Sequence, residues 1–426
     1  MNANLTIGLL IGLVLVNYRL SHSILYPPFI FCTMWLMVMA LYHLHLAKMD
    51  PIHLETFSIV SAGALLFSAG GVFALLVPRS LIEVRLVLFR DRFKQITRSR
   101  RQSGTVKYIM IFVLAIGICF LARHTFIAAA QGSGSSFLAR ARNAGIEAAS
   151  EGEHQSPVFA YFLLWSIYAS VLLQLEGRSR PFWLLTGIAF TGCIFSTGRT
   201  QLLLLVSALT CVHLIKTNRL SFGAAIKFAR WPLLVFVLLW VGLIFTSKNI
   251  STFGLGVGEL VLLFLVNYIV GPVVALDYAL QHPADYLGMP HHTFKFFLGI
   301  AAFFHLIRYT PPPPYDSFVA VPFPTNVYTV YKFYITDFGI YGALGIIAII
   351  GLLHTLLYLK ARTGSELGIY FFALTIYPAV MVIFDDQYSA FGSYLDILLF
   401  GMLYIGLRSQ PMFRLPEVRR RLQTAR

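Results

Sequence analysis

Long, uninterrupted apolar runs alternate along this chain with short polar or basic segments. The runs lack the polar stripe that a helix on a water-soluble core carries. In lipid, only helices and closed barrels satisfy the backbone polar groups. The runs therefore predict membrane-spanning helices at residues 5–18, 25–47, 56–77, 108–129, 157–175, 182–196 and 201–215. More are expected at 231–246, 259–280, 293–307, 337–359, 368–384 and 393–407. The expectation is an all-α, polytopic integral membrane protein, one transmembrane domain over residues 1–426. At ~20 residues per crossing, about 12–14 helices fit, with 13 as the best count. Segment 293–307 is short for a crossing, and a re-entrant course there would make the count even. The N-terminal run lacks a basic leader and a small-residue cleavage site, so it reads as a retained first span.

Composition agrees with this pattern. Hydrophobic residues make up 58% of the chain and charged residues 12%, against about 25% charged in soluble domains. A water-soluble enzyme, a disordered chain and a disulfide scaffold are excluded. The four cysteines all sit in apolar runs and read as small buried residues.

The net charge of +15 is clustered. Basic runs occupy the loop 78–107 and the tail 408–426, with further basic residues at Arg178, Arg180, 216–230, Lys360 and Arg362. Between apolar spans such clusters mark cytoplasmic loops rather than a nucleic-acid surface. Loops 131–156 and 308–336, the turn 196–200 and residues 248–257 and 385–388 are then exoplasmic, with the N-terminus outside.

Two stretches carry candidate chemistry. Ser196-Thr197-Gly198-Arg199-Thr200 joins two apolar runs by a very short turn, which puts Arg199 at the membrane boundary. Its guanidinium either snorkels to headgroups or receives a phosphate or carboxylate in a wet cavity. The second stretch runs from Thr325-Asn326-Val327-Tyr328-Thr329 to Asp337-Phe338-Gly339. Asp337 is read at the first turn of a helix, where a carboxylate caps free N–H groups or serves as a general base.

The remaining candidates are weaker. Arg308 precedes the stiff Pro311–Pro314 run and could bind an anion or anchor the interface. Arg140 and Arg142 share a polar loop with Glu147, Glu151 and Glu153. His291-His292 lacks a third ligand at usable spacing, so no metal site is expected. Asp277 and Asp396 lie near span ends, as ion-path groups or partners of neighbouring helices. Asp385-Asp386 forms a second carboxylate site, and Gly271-Pro272 interrupts its helix. No nucleotide-binding glycine loop is present.

The stretch TNVYTVYKFYITDFGIYG resembles the late exoplasmic motif of bacterial O-antigen polymerases, the Wzy family, and FSTGRTQLLLL resembles that family's small-residue turn with Arg. The resemblance implies a GT-C-like membrane glycosyltransferase architecture in the bacterial inner membrane, with its active site facing the periplasm. It implies metal-independent transfer of a growing glycan from undecaprenyl diphosphate to the non-reducing end of a lipid-linked repeat unit, without cofactor or nucleotide sugar. Arg199, Asp337 and Asn326 would be catalytic. Arg308, Arg140, Arg142, Tyr328 and Thr329 would bind the oligosaccharide. Membrane lipids, a chain-length regulator and a flippase are the implied partners. Related ligases place a His beside the corresponding Asn, where this chain has Pro324-Thr325. An O-antigen ligase and a lipid-linked oligosaccharide flippase are the alternative readings.

Overall fold

A computed structural model describes residues 2–78, 104–132, 158–196, 199–230, 257–282, 290–310, 318–321 and 324–409, with a few single positions between. Most of loops 78–107 and 131–156, the segment 231–246, the proline run and nearly all of tail 408–426 lie outside the described residues. The helices are α1 (Ala3–Ser21), α2 (Pro27–His43), α3 (Leu54–Leu76), α4 (Gly104–Gln131), α5 (Val158–Glu176), α6 (Arg180–Phe195) and α7 (Arg199–Thr217). They continue with α8 (residues 222–230 as described), α9 (Val257–Gln281), α10 (Lys295–Phe303), α11 (Tyr331–Arg362), α12 (Glu366–Met381) and α13 (Phe391–Ser409). A two-stranded antiparallel ribbon, Val319–Ala320 with Pro324–Thr325, is the sheet among the described residues.

Six of these helices, α1, α3, α4, α7, α9 and α11, are long and apolar enough to cross a membrane. Their outer faces leave large apolar side chains such as Leu76, Phe73 and Phe112 uncovered. That surface would be costly in water and suits acyl chains. Cys119 is a correction to the expected burial of every cysteine. It is exposed on this outer face of α4, whereas Cys32, Cys193 and Cys211 are buried.

The contacts give each helix a direction. Thr6 meets Ser61 and Asn17 meets Ser68, so α1 and α3 run in parallel. Gly63 abuts Tyr331, Gly70 abuts Ala348, and Gly71 abuts Thr355, so α3 and α11 are parallel too. At the end where α3 and α11 start, Val330 donates to the Val382 carbonyl and Asp277 meets His53. We call this the first end. At the second end Ile24 donates to Leu220, Lys216 donates to the carbonyls of Gln174 and Leu175, and Tyr26 packs on Tyr358. The basic residues Lys107, Lys216, Arg219 and Arg362 sit there, with Lys107 paired to Glu176. Described members of three basic clusters thus share one end, as the charge pattern requires.

The short segment near residue 300 takes the non-crossing course that the sequence left open. Helix α10 has nine residues, and at 1.5 Å per residue it cannot span a bilayer. Residues on both sides of it lie at the first end. His292 and Thr293 contact Asp337, and Tyr309 donates to the His291 carbonyl. α10 itself packs on the start of α13, through Phe294 and Phe297 against Phe391. Leu220 lies at the second end and Asp277 at the first, and the stretch 238–256 between them lies outside the described residues. The N-terminus of α1 and the C-terminal part of α13, where Tyr404 donates to Glu176, lie at opposite ends.

Candidate functional site at the first end

Residues 325–339 form the entry to α11. Val327 donates to the Thr325 hydroxyl, and Tyr331 and Lys332 donate to Thr329. These small turns begin the helix at Tyr331, six residues earlier than the sequence suggests. Tyr328 and Thr329 are buried beneath it, and the Lys332 ammonium lies 3.5 Å from the centre of the Tyr328 ring. Asn326 is partly buried in the approach to the helix.

Asp337 therefore does not cap its own helix. It lies in the second turn of α11, just before the break at Gly339, where φ is +69°. Its carboxylate reaches across to the turn that starts α10. Oδ2 accepts from the backbone N–H of Thr293 at 2.7 Å and of His292 at 3.2 Å. Oδ1 has a longer contact of 3.4 Å to the same His292 N–H. A carboxylate has about four acceptor positions, so Oδ1 retains capacity for a further partner. Asp337 instead holds the 290–294 turn that leads into α10, whose own N-cap, Phe294, has no side-chain cap bond. The His292 ring stacks on Phe333, and His291 stacks on Tyr309. Among the described residues no group of three metal-ligating side chains forms. Burial first, and the nearby Asp337 charge second, raise the Tyr309 phenol above its ordinary range.

Beside this entry lies the second carboxylate site. Asp386 Oδ1 accepts from the Tyr334 hydroxyl and the Tyr388 N–H, each at 2.8 Å, and from Ser389 at 3.4 Å. Its own N–H donates to Asp385. Burial raises its pKa, and these hydrogen bonds offset part of the rise. The turn dips into the bundle, because the Tyr388 hydroxyl reaches His354 Nδ1 at 2.9 Å in the middle of α11. Nothing in the sequence pattern marks His354 as a neighbour of Tyr388, since the two are joined only by the fold.

The other candidates fall as follows. Arg199 is the first residue of α7 and so lies at the first end, opposite Lys216; its side chain is outside the described residues, as is Arg142. Arg308 and Arg140 are exposed, Arg308 next to the His291–Tyr309 stack and Arg140 with its carbonyl against Gly132 at the close of α4. Asp277 and Asp396 pair with neighbouring helices. Asp277 accepts from the His53 N–H and the Thr56 hydroxyl at the start of α3, and Asp396 accepts from the Trp165 indole. α9 continues through Pro272.

No family model matches the chain, and no curated protein or solved structure matches it.

Proposed function

We propose that this chain is a metal-independent membrane glycosyltransferase of the O-antigen polymerase type, using a glycan on undecaprenyl diphosphate at the exoplasmic face. The observation that carries the reading is that Asn326, Asp337, Arg308 and the first residue of α7, Arg199, all lie at the end of the bundle opposite the shared basic end. The resemblance of the 325–342 and 195–205 stretches to the polymerase motifs supports it.

In this reaction the acceptor hydroxyl oxygen attacks the anomeric carbon while the bond from that carbon to the diphosphate oxygen breaks. The bonding electrons leave with the lipid diphosphate. Guanidinium groups stabilise that developing charge without a metal, a role that falls to Arg199 and Arg308. Asn326 orients the acceptor hydroxyl. Asp337 receives its proton on Oδ1, while Oδ2 keeps α10 in place. Tyr328 and Thr329 support the Asn326 turn from below, and Arg140 and Arg142 lie in a loop that would receive the sugar chain. The host membrane is the bacterial inner membrane in this reading, with a chain-length regulator and a flippase as functional partners.

The test is a gel of surface polysaccharide from a strain lacking the gene. Loss of the ladder down to core with a single repeat unit supports polymerisation. Long polymer left on the lipid carrier identifies a ligase, and repeat units trapped on the cytoplasmic face identify a flippase. Complementation with Arg199→Ala at matched protein level is expected to leave the ladder collapsed. A full ladder would remove Arg199 from the mechanism.

A further inference from the structure

The second end of the bundle carries a groove that the proposed reaction does not use. It has a volume of about 430 Å³ and lies where the α1–α2 turn, the α7–α8 turn and the end of α11 meet. Its polar walls come from Tyr18, Ser21, His22, Asn218, Arg219, Ser221 and Arg362, and no carboxylate is among the described residues that line it. Two backbone devices fix its shape. His22 and Asn218 both adopt left-handed conformations, φ 48° and 52°, and the Ile24 N–H bonds to the Leu220 carbonyl across the floor. Arg362 is held in place by its contact with Tyr358, donating to the phenol oxygen at 3.3 Å with its guanidinium over the ring.

The groove faces the C-terminal ends of α1, α7 and α11, which carry partial negative charge. Each end amounts to roughly −0.5 elementary charge, and the effect fades within one turn. Full charges on Arg219 and Arg362 exceed that field in the open groove. Two planar forks beside the Tyr18 hydroxyl line the groove with donors, while the Ser21 hydroxyl is spent on the Asn17 and Ser23 carbonyls. Such a lining matches a tetrahedral phosphate oxyanion, which offers acceptors alone. The groove also opens at the membrane boundary, because α1 and α11 both end there. Basic recesses between transmembrane helices at this level receive anionic lipid headgroups.

We propose that this groove binds a phosphate-bearing anion through Arg219 and Arg362. The shared chemistry is a phosphate oxyanion, supplied either by a lipid headgroup or by free phosphate in solution. The site is independent of the glycosyltransferase reading, because it lies at the opposite end from Asp337.

The test uses the full chain in nanodiscs of phosphatidylcholine alone or phosphatidylcholine with cardiolipin, released into detergent and weighed intact by native mass spectrometry. Retained cardiolipin on the wild type, reduced about tenfold by Arg219→Gln and by Arg362→Gln, establishes the lipid source; this is the scale of one charge-assisted hydrogen bond. A rise in the thermal midpoint with inorganic phosphate in phosphatidylcholine discs, absent in Arg219→Gln, establishes the soluble source. Arg219→Gln guards against loss of the Arg362–Tyr358 contact being mistaken for loss of a ligand. Equal lipid retention by wild type and both variants, with no phosphate-dependent shift, overturns the proposal.

Discussion

Among the described residues, three buried carboxylates each bind a group remote in sequence. Asp277 holds the start of α3 and Asp337 the turn that leads into α10, while Asp386 gathers Tyr334 and the 388–389 turn. Position alone leaves capping and catalysis open for Asp337, because its partners are 44 and 45 residues away. Substitution separates the roles. Asp337→Asn keeps an acceptor for the Thr293 N–H but no longer takes a proton. The expected result is a thermal midpoint near wild type with polymer lost, whereas Asp337→Ala also strands the His292 and Thr293 N–H groups and loses about 1–3 kcal/mol of stability. Normal polymer from Asp337→Asn would leave Asp337 a purely positioning residue. Asp386 gives a pH prediction. Its folded pKa is raised above the unfolded value near about 4, so in the window between the two the folded state binds more protons than the unfolded. Its contribution to stability is then greatest below that window and falls as pH rises through it. Thermal midpoints measured in detergent across mildly acidic pH should decline with pH in the wild type and flatten in Asp386→Asn. An unchanged slope would show that Asp386 is not the group responsible.

At the scale of elements, hydropathy locates the apolar helices well, because burial in lipid needs no particular partner. It does not locate their starts or breaks. α11 begins at Tyr331 because Thr329 and the Val330–Val382 bond build its first turn from local polar groups, which an apolar window passes over. It breaks at Gly339, whose positive φ suits glycine. The close pairing of α3 with α11 also depends on glycine. A Cβ on Gly70 would strike the Ala348 carbonyl, and one on Gly351 would strike that of Phe67. Backbone cannot yield as a flexible side chain does, so small residues at this seam permit contact that larger ones forbid. Gly70→Ala and Gly351→Ala should each cost about 1–3 kcal/mol, the range for overpacking a tight contact. Gly12→Ala, with open space around it, should be neutral or slightly stabilising, since Ala is the better helix former. Thermal midpoints of the three variants in one detergent provide the comparison. Equal effects at all three positions would mean that the α3–α11 seam relaxes freely.

For the whole molecule, the sequence conveys the all-helical membrane class and the sharing of one end by the basic clusters, but not the course of segment 293–307. The shared end is legible because loop charge is a property of composition, and the structure brings described parts of the 216–230 run, Arg362 and Lys107 together there. The course of segment 293–307 is illegible because it and a true span share the same apolar character. What makes α10 an excursion is its nine-residue length and the carboxylate of Asp337, which ties its entry back to the first end. This arrangement predicts a labelling pattern. In a chain with its four cysteines replaced, His282→Cys and Arg308→Cys flank the α10 region, while Asn218→Cys lies in the α7–α8 turn. A membrane-impermeant thiol reagent applied to intact spheroplasts should label positions 282 and 308 and leave 218 unreacted until the membrane is opened. If 282 and 308 react from opposite sides, α10 belongs to a true crossing, and the Asp337 contact that places it at the first end does not survive in the membrane. If all three react together from outside, the basic end is not cytoplasmic, and the exoplasmic placement of the site falls with it.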